Sequence, residues 1–349
     1  MTDCEKIADI IKNYRYSELH RNFDAAHVAR WAGQFSDESR DTILRETYSI
    51  LSDWYYSIER IEKDFLNGMV FNVIDDIYKK SGKDIDEVFD ETAFLRIQEH
   101  GQSQIMLVDK LQEIVAVGID LNYINADELD KCSDYRNIIY LDDGLWSGSR
   151  MRKDMGNILP KLGKNTEVYL LYIIASRNGA EYSMNRLARD YRKYEPNAKL
   201  HLKSLRDFCD AANDIYRTNL WPDESLENIE AIKAYSDSLR TSTGDELSQN
   251  AQYWIYRRGR RRNDKGIFSS VEARNIVEKE FVLKGIELKK IFGNFGNGIR
   301  PLGYSILQSF GVGAFFATDL NVPNTAPLVL WADEWAGKGW YPLFPRRRN

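Results

Sequence analysis

Apolar residues recur at helical spacing through the first part of the chain and gather into short runs further on. Leu44, Tyr48, Leu51, Tyr55 and Ile58 lie three or four apart, and Ile43, Ile50, Trp54, Ile61 and Phe65 widen the stripe. That period predicts an amphipathic helix started by Asp37 or by Asp41-Thr42 and stopped at Asn67-Gly68. A shorter helix is predicted over residues 27–35, so residues 1–68 read as an N-terminal helical module. From 69 to 215 the pattern changes to strand, loop, helix. The runs at 92–97, 137–141, 167–175 and 200–202 are apolar and rich in β-branched or aromatic residues. Their alternation with helical segments predicts an α/β core, a mainly parallel sheet flanked by helices. Sheets of this kind bind ligands at the carboxyl ends of their strands. Residues 216–349 read as a C-terminal extension, charged and helical to about 300, with strands at 310–318 and 327–331 expected to return to the core.

Composition narrows the class. With 43% apolar and 29% charged residues the chain can bury a core and is not disordered. A net charge of −5 argues against a protein that coats nucleic acid. No apolar run approaches the roughly 20 residues of a membrane helix, and residues 1–11 lack the basic start and apolar run of a signal peptide. No membrane partner is expected. Cys4, Cys132 and Cys209 are far apart, and His20, His27, His100 and His201 are scattered, which leaves no zinc spacing and no His-based triad. Reduced thiols and a cytoplasmic location are the expectation.

The chemistry concentrates in residues 138–150, Ile-Ile-Tyr-Leu-Asp-Asp-Gly-Leu-Trp-Ser-Gly-Ser-Arg. A buried strand ends in two carboxylates, then a small-residue loop leads straight into a helix. A helix start offers unpaired N–H groups and the positive end of the peptide dipoles. Backbone N–H groups turned inward at Ser147, Gly148 and Ser149 make a phosphate cradle, with Arg150 beside it. Asp142 and Asp143 repel phosphate. They suit the other end of a sugar phosphate, accepting from ribose hydroxyls or holding a magnesium ion.

This segment resembles the phosphoribosyl-pyrophosphate signature of type I phosphoribosyltransferases: four apolar residues, two acids, then a loop of Thr/Ser-Gly-x-Thr type. The match holds through Leu141-Asp142-Asp143 and Ser147-Gly148. It departs at Gly144, usually branched apolar, and at Trp146, where purine enzymes often carry an acid that handles the base's proton. It departs again at Arg150, where a phosphate-binding hydroxyl is usual. Across residues 27–346 the resemblance is narrower in kind. Trp31-Ala32-Gly33-Gln34-Phe35, the acid loop, Asn321-Val322-Pro323-Asn324-Thr325-Ala326-Pro327 before Trp331, and Trp340-Tyr341-Pro342-Leu343-Phe344-Pro345-Arg346 follow one another. That series is similar to the phosphoribosyltransferase-like family of bacterial conflict systems, some of whose members accompany retron reverse transcriptases in anti-phage operons. The resemblance implies a type I phosphoribosyltransferase fold and a toxin-like effector acting on a nucleotide or phosphoribosyl pyrophosphate. It also implies a reverse transcriptase with its DNA or RNA product as partners in a defence complex.

In working transferases the loop after the first core strand holds pyrophosphate, often with a basic residue. The corresponding loop here is 99–103, where Gly101 and Ser103 fit a tight turn and a helix cap but no Lys or Arg occurs. Release of a base to water would need less of that loop. The segment 319–326, with Asn321, Asn324 and Thr325, is expected to wall the phosphate site. Arg257, Arg258, Arg260, Arg261 and Arg262 follow Tyr253, Trp254 and Tyr256, a composition able to grip phosphates and stack on bases. Two readings stay open. One is an enzyme that works at the C1 bond of a ribose 5-phosphate, by glycosyl transfer or base release, with Asp142 and Asp143 as its catalytic pair. The other is a non-catalytic nucleotide sensor that engages nucleic acid or a ribonucleoprotein through the arginine run.

Overall fold

A computed structural model describes residues 1–15, 22–99, 102–115, 119–191, 198–208, 219–241, 255–293, 298–305, 309–332 and 339–346. The chain divides into two compact units, Met1–Ser57 with Asp210–Asn349, and Ile58–Cys209. The long amphipathic stripe is broken between them. Its helix begins after Ser36, rather than being capped by Asp37 or Asp41, and runs over Asp37–Trp54. Tyr55 and Tyr56 then turn extended to pair in parallel with Ala317 and Thr318. A new helical run starts at Ile58, passes through a π-helical stretch at Ile61–Val70 and continues to Ser81. Gly68 therefore lies inside a helix, and the stop is Gly82, which takes the left-handed conformation at φ +68°.

In the first unit, short helices at Asp3–Ile11 and Ala25–Ala32 are capped by Thr2 and Asp24. The motifs Trp31–Phe35 and Trp340–Phe344 meet here. The Trp31 indole donates to the Val329 carbonyl at 2.9 Å. Gln34 donates to the Tyr341 carbonyl (2.8 Å) and accepts from its N–H (2.7 Å). Trp31, Phe35, Phe281, Phe315, Leu343 and Phe344 share one core. These motifs hold the fold. The strands expected at 310–318 and 327–331 are mostly absent: only Ala317–Thr318 is extended, and Leu328–Trp331 forms a helical turn. Among the described residues, neither segment joins the main sheet.

The second unit is a five-stranded parallel sheet flanked by helices. Its strands are β1 (Thr92–Arg96), β2 (Asn122–Asn125), β3 (Asn137–Leu145), β4 (Glu167–Ser176) and β5 (Lys199–Phe208), in the order β2-β1-β3-β4-β5. Helices α1 (Ser103–Ile114), α2 (Ser149–Ile158) and α3 (Arg177–Tyr191) follow β1, β3 and β4. Met151, Met155, Ile158 and Leu187 of α2 and α3 pack on Ile138, Tyr140, Val168 and Leu170. Helix α1 and the 61–70 segment touch each other as well as the sheet. The edge strand β2, Asn-Tyr-Ile-Asn, is too short and polar to show in the sequence pattern. Both β3 and β4 extend beyond their apolar runs, so Asp142 and Asp143 lie within a strand rather than after one.

Candidate functional site

The strand order reverses direction between β1 and β3, because the chain goes outward from β1 to β2 and then returns to β3 on the other side. At such a switch point the two following connections diverge to opposite faces and leave a crevice above the carboxyl ends. The loop after β1 and the end of β3 meet there. Ser103, the first residue of α1, directs its hydroxyl between the two acids, 2.7 Å from Asp142 Oδ1 and 3.1 Å from Asp143 Oδ1. Adjacent residues of a regular strand point to opposite faces. Here Ile138 and Tyr140 share a core cluster with Leu145, and Val168, Leu170 and Tyr172 share it with Ala175. Both strands therefore slip by one residue over the same stretch while staying in register, with Asp142 opposite Tyr172 and Gly144 opposite Ile174. That slip lets neighbouring carboxylates converge on one hydroxyl.

The two acids have different surroundings. Asp142 is buried, and three donors point at it, Gln98 Nε2 at 3.1 Å, Ser103 Oγ at 2.7 Å and the Asp143 N–H at 2.9 Å, with the Tyr140 hydroxyl 3.4 Å away. Asp143 is half-buried and accepts from the Ser103 hydroxyl, whose single proton it shares with Asp142. Burial first, and the Asp142 charge second, push the Asp143 carboxyl up to about 8, with Ser103 opposing. A proton held there at neutral pH relieves the crowding.

Behind Asp142 the Tyr140 hydroxyl donates to Asp154 Oδ2 at 3.0 Å, and Arg150 Nε donates to the same oxygen at 3.1 Å. Arg150 also reaches Gln102 Oε1 at 3.1 Å, tying the phosphate loop to the loop after β1. The loop after β1 is anchored by the buried Gln104, whose Oε1 accepts from the N–H groups of Ile97 and Gln98 at 2.9 and 3.1 Å. Arg96 points elsewhere, pairing with Asp109 at 2.8 Å and lying over the Tyr123 ring.

Gly148 opens α2 in the left-handed conformation at φ +63°. A Cβ there would come 1.9 Å from the Ser183 hydroxyl oxygen. Ser147 Oγ accepts from the Ser149 N–H at 3.3 Å, and the Ser147 carbonyl accepts from Arg152 at 2.8 Å. Arg152 in turn donates to Ser183 at 2.6 Å, and a Cβ on Gly179 would lie 1.6 Å from the Trp146 carbonyl oxygen. Helix α3 thus fixes the loop from beneath, with the first N–H groups of α2 above it.

The model of the PRTase-CE family, a phosphoribosyltransferase-like family, matches residues 28–346. The chain belongs to the PRTase-CE family. No curated protein and no solved structure matches it. The fold of this PRTase-CE protein is the α/β one expected, a parallel sheet with helices on its flanks.

The remaining expected site residues belong to the first unit or fall outside the described residues. Gly101 falls outside the described residues. Asn321, Asn324 and Thr325 belong to the first unit, where their carbonyls accept from the N–H groups of Thr318, Tyr304 and Ala314. Arg257 is buried against Glu278 (3.1 Å) and also bonds the carbonyl oxygens of Trp221, Arg261 and Arg262. Arg262 pairs with Asp223 at 3.0 Å and Arg258 with Glu224 at 3.4 Å, while Arg261 lies over the Trp221 ring. The run expected to face a partner rather than support the fold is therefore, at Arg257, part of a core ion network. The side chain of Arg260, like Tyr253 and Trp254, is outside the described residues. Gln98, Gln102, Tyr140 and Asp154 are site residues that the sequence reading missed. The i, i+2 spacing of Tyr140 and Asp142 and the i, i+4 spacing of Arg150 and Asp154 were the available signals.

Proposed function

We propose that this PRTase-CE protein binds a ribose 5-phosphate group in the crevice between β1 and β3 and acts at the C1 bond of that sugar. The observation that carries this reading is the placement of a left-handed glycine and a helix start five residues after Asp143 on one strand end. The phosphate would take the N–H groups of Gly148, Ser149 and Arg150, and Asp143 would accept from the ribose hydroxyls. Asp142 keeps its oxygens for the three protein donors and so fixes its neighbour's position. In base release, water adds to C1 as the C1–N bond breaks, and the base leaves with the bonding pair and takes a proton. The cationic sugar that develops is favoured by a nearby carboxylate.

Among the described residues, no group of three or more His, Cys, Asp or Glu could hold a metal ion. Asp143 with Ser103 nevertheless fits magnesium, which commonly takes one or two carboxylates and completes its shell with ligand oxygens and water. Bound there, magnesium would neutralise charge on the sugar phosphate. The sensor reading loses its proposed contact at Arg257, whose guanidinium is engaged within the fold.

Melting shifts with ribose 5-phosphate and nucleoside 5′-phosphates, with and without magnesium, test the reading. At about one hundred times the dissociation constant the stabilisation is about 2.7 kcal/mol. Gly148→Ala should remove it through the strained φ and the Ser183 contact, and Asp143→Asn should weaken it without disturbing the phosphate loop. Equal shifts in all three proteins would place the ligand elsewhere. Chromatography of the incubated nucleotides for free base separates turnover from binding.

A further inference from the structure

The Ser147–Gly148 peptide carries the turn from β3 into α2, and its two polar groups have opposite surroundings. Its carbonyl oxygen accepts from Arg152 Nη1 at 2.8 Å and lies 3.4 Å from the Ser183 hydroxyl. The same Nη1 donates to Ser183 Oγ at 2.6 Å, and the guanidinium rests over the Tyr182 ring, 5.0 Å from its centroid. Arg152 is thus held against that carbonyl by two residues of α3. In a planar trans peptide the N–H points opposite to the C=O. With its carbonyl turned to α3, the peptide directs the Gly148 N–H away from α3. Helix α3 packs on β4 and β5, whereas β1 lies on the other side of β3, so this N–H faces the crevice. Among the described residues no backbone carbonyl meets it.

Glycine at 148 leaves the opposite orientation open. Its φ of +63° would change by half a turn if the peptide flipped, and glycine adopts either value about as readily. The flipped peptide would place a carbonyl oxygen where the phosphate oxygens belong, turning an attractive dipole into a repulsive one. It would also break a charge-assisted hydrogen bond and leave the Arg152 guanidinium facing an N–H group. Of the three cations in the first five residues of α2, Arg150 is held by Asp154 and Gln102, and Lys153 is exposed. Arg152 is the one bonded to the loop, and its charge lies behind the peptide rather than in the ligand's path.

We propose that Arg152 is the positioning residue of the phosphate site: bonded to the Ser147 carbonyl, it holds the Ser147–Gly148 peptide with its N–H toward the ligand's phosphate and blocks the flipped, anion-repelling orientation. The proposal rests on the ribose-phosphate reading above and makes this peptide the element by which the site is switched. Arg152 itself does not touch the ligand. It acts through the peptide, whose N–H it also polarises by drawing charge onto the carbonyl oxygen.

Calorimetric titration of the full chain with ribose 5-phosphate, together with the Gly148 amide resonance in protein carrying isotope-labelled glycine, tests it. Saturation with ribose 5-phosphate should move the Gly148 amide proton downfield in wild type. Arg152→Met keeps a side chain over Tyr182 but loses the donor, and should weaken ribose 5-phosphate at least about tenfold while reducing that shift. Arg152→Lys retains a charged donor and should recover most of the affinity, and methylguanidinium added to Arg152→Met should restore part of it. A merely structural role would give neither recovery. Unchanged affinity in Arg152→Met, or weakening that neither the lysine nor methylguanidinium relieves, overturns this proposal alone. So does a Gly148 amide that bound ribose 5-phosphate leaves in place in wild type, a measurement that decides even where Arg152→Met does not fold. Absence of ribose 5-phosphate binding by wild type overturns the ribose-phosphate reading as well.

Discussion

Replacing Asp143 by Asn should stabilise the protein in metal-free buffer, and should do so more at high pH than at low. Burial and the Asp142 charge raise the Asp143 carboxyl from its ordinary 3.8 to about 8. Below the ordinary value both folded and unfolded chains hold the proton, and the site costs nothing. Between the two values the unfolded chain has released the proton while the folded chain keeps it, so stability falls as pH rises. Above about 8 the folded site is ionised and the full penalty applies. At about 1.4 kcal/mol per tenfold change in proton affinity, that interval corresponds to roughly 6 kcal/mol. Water reaching the half-exposed side of Asp143 reduces the expected gain to about 1–3 kcal/mol. An Asn side chain cannot ionise, so Asp143→Asn removes the penalty without emptying the space. For a unit of this size each kcal/mol moves the midpoint by about 2–4 °C. Thermal unfolding in the presence of a chelator should place the variant about 3–10 °C above wild type at pH 8.5, with a smaller gap at pH 5. A variant that melts below wild type at pH 8.5, or a gap that does not narrow on acidification, would refute the reasoning.

Two further outcomes follow from the same contacts. Asp142→Asn should lower stability at both pH values, by about 1–3 kcal/mol, because an NH2 group would face donors that now point at a carboxylate oxygen; thermal unfolding beside Asp143→Asn reads the opposite signs directly. Arg257→Ala should cost about 3 kcal/mol or more in chemical denaturation, since it leaves Glu278 and Asp223 buried with one cation fewer. An unaltered denaturation midpoint together with lost nucleic-acid retention would instead restore the arginine run as a docking surface.

The sheet was legible because its central strands, 137–141 and 167–175, carry nearly continuous apolar runs and pair with each other in parallel. The ends of elements were less so. Tyr55 and Tyr56 fit the helical stripe as well as any residue in it, and what makes them extended is pairing with Ala317 and Thr318, more than 250 residues away. Gly68 carried a stop signal that the π-helical stretch overrides, where Phe65, Leu66 and Val70 are fully buried. Local propensity is a weak term against burial of that size. The burial of Arg257 was not legible for a related reason. Charge density reads as solvent exposure until a buried Glu278 and Asp223 are brought to it by other segments.

Within the site, the sequence located the acid pair and the phosphate loop but had no means of telling Asp142 from Asp143. Their difference is made by Gln98 and Ser103, which arrive from the loop after β1, and by Tyr140 one strand pleat below. Once three donors point at Asp142, its oxygens are committed to the fold, and removing its charge weakens the acceptor those donors face. Asp143 has the converse balance: it is strained by its neighbour in the free protein and retains lone pairs for a ligand. A double replacement would therefore combine a loss of stability with a gain and a loss of binding, and its net effect on melting would say little about function. The two single replacements separate these contributions, since only at Asp143 should stability rise while ligand-induced stabilisation falls. That opposition between apo stability and ligand binding is the expected mark of a residue held for chemistry rather than for packing.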